Sequence, residues 1–244
     1  MNIALIGYGK MGKAVEALAP SRGHHIVTAI DNPHQWSAHL DAIRTCDVAV
    51  DFSQPDVAVD NIEKCFDLHL PVVVGTTGWY DQLDRVVHLC RQQGQALFVA
   101  SNFSIGMNIM FDLNRRLAHL MNRRPDYDVS ISETHHVHKL DAPSGTAISL
   151  ANDVIGLLDR KTSWLLVDAQ ASSLDSSAIP VFASRQGEVP GIHEVVYDSP
   201  IDTLSIRHSA KNRQGLALGA LMAAEYLSGR KGYYTMRDLL ADDE

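Results

Sequence analysis

Cysteine is scarce: Cys46, Cys65 and Cys90 are the only three in 244 residues. An odd count with no paired or metal-type spacing argues against a disulfide framework or a thiolate metal site and fits a reducing compartment. Basic charge is also short. Lys and Arg number 21 against 29 Asp and Glu, a formal net charge of -8 with a pI of about 5.8. That balance argues against a general nucleic-acid surface. No apolar run approaches the roughly 20 residues of a membrane span. The apolar start, residues 1–7, is too short for a signal peptide. Neither repeats nor low-complexity tracts occur. The expectation is a cytoplasmic globular chain without nucleic-acid or membrane partners, long enough for one large domain or two modest ones.

The first hundred residues alternate short apolar runs with amphipathic stretches. Residues 3–6, 26–30, 48–52, 72–74 and 96–100 read as strands, and 10–19, 56–67 and 81–93 as helices. This alternation predicts a parallel, doubly wound sheet. The pattern changes after Phe103. A helix over 107–121, a strand over 127–133, a helix from about 147 to 158, strands at 195–197 and 204–207 and a last helix over 214–227 make an α+β half. The Ser-, Gly- and Pro-rich residues 169–191 read as a long loop. The predicted class is α/β, with an N-terminal dinucleotide-binding domain over 1–103 and a second domain over 104–213. The chain from 214 to 244 is expected to pack back on the first.

Gly7-Tyr8-Gly9-Lys10-Met11-Gly12 is a G-x-G-x-x-G between a predicted strand and a predicted helix, the context a Rossmann-like dinucleotide site requires. The first glycine permits the tight turn, the second lets a pyrophosphate approach the backbone, and the third lets helix and strand pack closely. The helix N-terminus adds free N–H groups for phosphate. Asp31 ends the second strand. A carboxylate there accepts hydrogen bonds from the hydroxyls of an adenosine ribose and repels a 2′-phosphate. Asn32, Pro33 and His34 follow without a compensating Arg or Lys, so NADH is expected to be preferred over NADPH. Two further strand ends, Gly75-Thr76-Thr77-Gly78 and Ala100-Ser101-Asn102-Phe103-Ser104, offer small and polar groups to the same ligand, although the first is also an ordinary turn.

The densest chemistry lies in Glu133-Thr134-His135-His136-Val137-His138-Lys139-Leu140-Asp141-Ala142-Pro143-Ser144-Gly145-Thr146-Ala147. Three histidines and a lysine share five positions. The cluster could bind metal, form a solvated basic turn, or bind and protonate an anion. His136 and His138 on one strand face would suit a metal, but no further ligand pair stands at convincing spacing. Ser144 is a good N-cap, and the N–H groups of Gly145 and Thr146, with the Thr146 hydroxyl, can grip a carboxylate. Histidine can act as a general acid near neutral pH.

The run from Glu133 to Ala147 closely resembles the signature of the bacterial 4-hydroxy-tetrahydrodipicolinate (dihydrodipicolinate) reductases. The resemblance extends to Gly7–Gly12, Asp31, Phe52-Ser53, Gly75–Gly78, 100–106, Arg185-x-Gly187 through Gly191-x-His193, and Arg213, nearly the whole chain in order. It implies a cytoplasmic NADH- or NADPH-dependent enzyme of the diaminopimelate route to lysine, reducing the dehydrated form of 4-hydroxy-tetrahydrodipicolinate, a small dicarboxylate. It further implies that His135 donates the proton and that Lys139 donates a proton or stabilises charge. His136, Ser144, Gly145 and Thr146 would bind substrate. Gly7, Tyr8, Gly9, Lys10, Met11, Gly12, Asp31, Phe52, Ser53, Gly75, Thr76, Thr77, Ala100, Ser101, Asn102 and Phe103 would bind the cofactor. The second domain would bind substrate and build a homotetramer. Two other readings stay open. One is another amino-acid or semialdehyde dehydrogenase, disfavoured because no cysteine follows Cys90. The other is a non-catalytic dinucleotide sensor, disfavoured by the lack of a basic recognition helix.

Overall fold

The computed structural model describes residues 1–167, 175–212 and 214–241. In the first half the elements are β1 (Asn2–Ile6), α1 (Lys10–Leu18), β2 (His25–Ile30), α2 (Trp36–Ile43), β3 (Val48–Asp51), α3 (Pro55–Asp67), β4 (Val72–Val74), α4 (Leu83–Gln92), β5 (Ala96–Val99) and α5 (Ile105–Met121). Then come β6 (Asp128–His135), α6 (Gly145–Ile155), β7 (Ser163–Val167), β8 (Ala178–Arg185), β9 (Gly191–Asp198), β10 (Thr203–Ala210), α7 (Gln214–Leu227), β11 (Gly232–Tyr234) and α8 (Met236–Ala241). The chain divides into two units, Met1–Ile105 with Arg213–Glu244, and Gly106–Asn212.

The first unit is a six-stranded sheet in the order β11-β5-β4-β3-β1-β2, parallel throughout. Strands covered on both faces read as continuous apolar runs, and the two-residue period sorts their side chains between layers. Ile3, Leu5, Val50 and Phe98 pack with Ala217, Leu221 and Leu227 of α7. Ala4, Ile6 and Val74 pack on the other face with Ile62, Phe66 and Val86 of α3 and α4. Helix α7 approaches so closely that a Cβ on Gly219 would overlap the carbonyl oxygen of Phe103. The sequence pattern gave no sign of α2, β11 or α8. The three residues of β11 are too few to show a period, and they form by extending the β5 edge, Tyr233 opposite Leu97.

The second unit is a mixed sheet in the order β10-β9-β6-β8-β7, with β6–β8 and β8–β7 parallel and the other pairs antiparallel. Val129, Ile131, Val181, Val195 and Tyr197 face one way and bury against Met107, Met110, Leu150 and Val154 of α5 and α6. Residues between them in sequence face the other way and, among the described residues, carry no helix layer of this unit. Two corrections arise here. The expected loop over 169–191 contains strand β8, whose alternation of Ile179 and Val181 inward is obscured by Pro180 and flanking serines; residues 169–174 of that stretch lie outside those described. Strand β6 also runs two residues past the expected 133, so His135 ends the strand and is buried.

Candidate active site

The cofactor candidates gather at the carboxyl ends of parallel strands, where such sheets bind ligands. Gly7, Tyr8 and Gly9 link β1 to α1, and Lys10, Met11 and Gly12 form the first turn of α1. Gly7 has a φ of +87°, and a Cβ on it would overlap Phe52, while one on Gly12 would overlap Gly7. Only glycine meets both conditions. Asp31 follows β2 and accepts from the Tyr8 N–H through Oδ1 at 3.0 Å, which ties the ribose-type acid to the glycine loop. Phe52 and Ser53 follow β3, Gly75, Thr76 and Thr77 follow β4, and Ala100, Ser101, Asn102 and Phe103 follow β5. The glycine cradle, the open α1 N-terminus and Asp31 together fit a dinucleotide.

Three of these candidates are engaged elsewhere. The Thr76 hydroxyl donates to Asp51 Oδ1 at 2.5 Å, and the Ser53 hydroxyl donates to the same oxygen at 2.8 Å. The Phe103 ring is buried against Phe98 and edge-on to Phe52. Asp51, at the end of β3, is fully buried and also accepts from the Ser53 N–H and the Asn61 amide. Burial pushes its carboxyl up, against the pull of Thr76, Ser53 and Asn61. Asp51 thus knots the β3 and β4 loops together.

In the second unit, β6 delivers Glu133 and His135 to the same face, and α6 begins directly after the loop. Ser144 caps α6, its hydroxyl accepting from the Ala147 N–H at 3.2 Å. The Ser144 N–H donates to both oxygens of Glu133 at 3.1 Å, and the Ile148 N–H donates to the Ser144 carbonyl. Gly145 and Thr146, the first helical residues, keep N–H groups that the helix itself cannot satisfy. Lys139 Nζ reaches Asp141 at 2.7 and 2.8 Å, so its charge is shared with a carboxylate, and Asp141 is held below the usual carboxylate range chiefly by that bond. His136 is half-buried, and its Nδ1 has no hydrogen-bond partner among the described residues. His138 is exposed and meets Glu188.

His135 sits 3.6 Å from Glu133 through Nδ1, and its ring meets the His193 ring edge-on at 5.0 Å. Burial lowers its pKa below the ordinary histidine value, Glu133 pulls it up, and Lys139 and Arg185 push it down again. His193 stands opposite Glu133 across β6 and β9 and contacts the Ser144 hydroxyl at 3.2 Å. Burial, then the charge of His135, holds His193 down at about 3, so it is neutral at neutral pH. Glu133, His135 and His193 offer ligand atoms within 4.8 Å of one another, a spacing suited to a divalent metal. The carboxylate, however, is already taken by the Ser144 N–H, and the Arg185 guanidinium supplies its counter-charge at 3.5 Å. We read the group as a proton-handling cluster.

Residues 1–103 match the family model "Dihydrodipicolinate reductase, N-terminus", and residues 106–240 match its C-terminus. The chain is 46% identical to the 4-hydroxy-tetrahydrodipicolinate reductase of Christiangramia forsetii, over 99% of this chain and 98% of that one. The chain belongs to the dihydrodipicolinate reductase family. It is 34% identical to the Staphylococcus aureus (strain Newman) reductase, over 98% and 100% of the two chains. In fold it resembles the dipicolinate-bound dihydrodipicolinate reductase of Paenisporosarcina sp. TG-14, with a TM-score of 0.78 and 21% identity over 96% and 97%. As a member of this family the chain is an NAD(P)H-dependent oxidoreductase with a dinucleotide-binding domain, and the family serves the diaminopimelate route to lysine. No helix among the described residues is long and apolar enough to cross a membrane.

For a dihydrodipicolinate reductase, the sequence reading left four residues without a role: Asp51, Glu133, Arg185 and His193. Asp51 lies outside any motif quoted, and only its burial beside two polar loops marks it. The other three are within the recognised runs, but sixty positions separate Glu133 from His193. Only the β6–β9 register brings them together.

Proposed function

We propose that this chain reduces the dehydrated form of 4-hydroxy-tetrahydrodipicolinate to tetrahydrodipicolinate, with His135 as proton donor. The carrying observation is the pairing of a buried histidine at a strand end with a helix N-terminus that has two uncommitted N–H groups, joined through Glu133. When bound at the first unit, NAD(P)H supplies the hydride. Conjugate reduction would leave an enamine-type anion, and His135 supplies the one proton that turns this anion into the cyclic imine product. Gly145 and Thr146 hold one substrate carboxylate through backbone N–H groups and the Thr146 hydroxyl. His136 and Lys139 face the remaining negative charge, with Lys139 exchanging Asp141 for substrate. The wild-type chain is expected to oxidise NADH when given substrate formed in situ from pyruvate and aspartate semialdehyde by the corresponding synthase. Failure to oxidise either NADH or NADPH in that assay would sink the reading.

NADH is the preferred cofactor in this proposal. Asp31 places a carboxylate where a 2′-phosphate would sit, and Asn32 provides no positive charge. Two like charges at close range on a wet surface repel by about 1 kcal/mol or more, so KM for NADPH should exceed that for NADH about fivefold or more. Equal KM values would remove the preference. The cytoplasm is the compartment that accords with the reducing-type cysteine usage.

We also infer that the open face of the second sheet joins copies into a homotetramer. Phe182 and Leu165 are 41% and 49% exposed there, and the register sets them on the face opposite Val181 and Ile131. Val196 shares that face through its pairing with Ser130. Phe182→Glu should therefore lower the mass measured by light scattering below that of a tetramer. A tetramer that persists unchanged in this variant would count against the sheet face.

A further inference from the structure

A negative charge is buried under a pocket proposed to hold a dianion. Glu133 has a side chain with no solvent exposure, yet it sits beside the residues assigned to bind carboxylates. Electrostatics alone would remove it, because an unbalanced buried carboxylate is costly and repels the substrate. Its contacts explain its presence. Both oxygens accept the Ser144 N–H, which is the start of the carboxylate-gripping turn. One oxygen lies 3.6 Å from Nδ1 of His135 and 3.7 Å from Nε2 of His193. The other faces Arg185 at 3.5 Å, and Arg185 in turn donates to the backbone carbonyls of Lys139 and Asp141, bracing the intervening loop.

We propose that Glu133 is a positioning residue that fixes the His135 ring and the Ser144 turn against one another, building proton donor and carboxylate cradle as one rigid piece. This rests on the reading of His135 and the turn given above. Three features support it. First, Glu133 and His135 are two apart on β6 and so share a face, while the Ser144 N–H bond ties the start of α6 directly to that carboxylate. Second, Nδ1 of His135 has no hydrogen bond within ordinary limits among the described residues, so the nearby carboxylate is the group that orients it; a small shift would close the 3.6 Å gap when the ring is protonated. Third, His193 backs the same assembly, its Nε2 against the Ser144 hydroxyl and its ring against that of His135.

The charged and titratable neighbours of His135 are Glu133 on its own strand, Lys139 and Asp141 from the loop, Arg185 from β8 and His193 from β9. Among them, Glu133 and Asp141 favour the protonated ring, whereas Lys139 and Arg185 oppose it. A general acid is active while protonated, so its activity limb falls as pH rises through its pKa. Glu133→Gln keeps an oxygen for the Ser144 N–H but removes the charge. The limb should move to lower pH, and kcat should fall about tenfold to hundredfold, with KM for NADH unchanged.

The test combines steady-state pH profiles with an NMR titration of the His135 ring in wild type, Glu133→Gln and Glu133→Asp. A lower ring pKa in the Gln variant, with a matching limb shift, is the expected result. The Asp variant keeps the charge but withdraws it by one methylene. It should hold the limb near its wild-type position with kcat still reduced. If the Gln variant does not fold, the Asp variant decides: wild-type kcat and wild-type substrate KM there would overturn the proposal. A Gln variant that loses turnover with an unmoved ring pKa would also overturn it, leaving Glu133 as a folding residue only. Because the NMR titration needs no turnover, it separates this failure from that of the reductase reading, which would instead show as an inactive wild type.

Discussion

Replacing His135 by alanine is expected to lower kcat by about 10²–10⁴-fold, the usual contribution of a general acid, while leaving the affinity for NADH unchanged. The prediction is sharp because the substitution removes little else. Nδ1 of the ring makes no hydrogen bond among the described residues, so its loss strands no partner there. Glu133 keeps the Ser144 N–H and Arg185, and the cap of α6 is untouched. The glycine loop, Asp31 and the strand-end loops all belong to the other unit. Parallel measurement of turnover and of NADH binding by fluorescence would check both halves. Wild-type turnover in the mutant would remove His135 from the chemistry, whereas lost NADH binding would mean the mutation had unsettled the fold.

The largest effect on stability should come from one methyl group at Gly219. A Cβ there would lie inside the carbonyl of Phe103, a backbone atom that no rotamer change can move aside. Phe103 itself is buried between Phe98 and Phe52, so the strain would pass into the core. Overpacking of this kind costs up to about 3 kcal/mol and occasionally more, which for a chain of this size is a fall in Tm of roughly 6–12 °C. Calorimetry of Gly219→Ala beside Gly215→Ala, in the first turn of the same helix where the nearest atom to the added Cβ is the Ser104 hydroxyl at 4.0 Å, separates packing from helix propensity. Equal Tm losses would mean that α7 can back away from the Phe103 segment at little cost.

The parts of this structure readable in the sequence are those set by short-range pattern. Residues buried on both faces, such as 48–50 and 72–74, announced the parallel strands, and the glycine spacing announced the turn between β1 and α1. The site segment was visible because its chemistry is packed into fifteen consecutive positions. What stayed hidden depends on pairing between distant segments. Strand β8 contains Pro180, which signals an edge or a loop, but Ile131 and Leu166 on either side of Val181 hold it in the sheet interior. The strand β11 exists because β5 offers an unpaired edge. Glu133 read as the end of a strand, and only the facing His193 and the capped helix above it reveal a buried charge with four neighbours.

The chain enters the second unit at residue 106 and returns to the first at 213, so the first unit is completed by residues made after the whole of the second. Ala217, Ala220, Leu221, Ala224, Leu227, Met236 and Leu239 all fill one face of its sheet, and β11 covers its β5 edge. Until these residues leave the ribosome, that face and that edge are bare, and bare apolar surface with an open strand edge invites association with other chains. The inserted unit can meanwhile mature on its own, since its core draws only on residues already synthesised. The order of folding therefore runs against the order of synthesis: residues 1–105, made before the inserted unit, complete their fold after it.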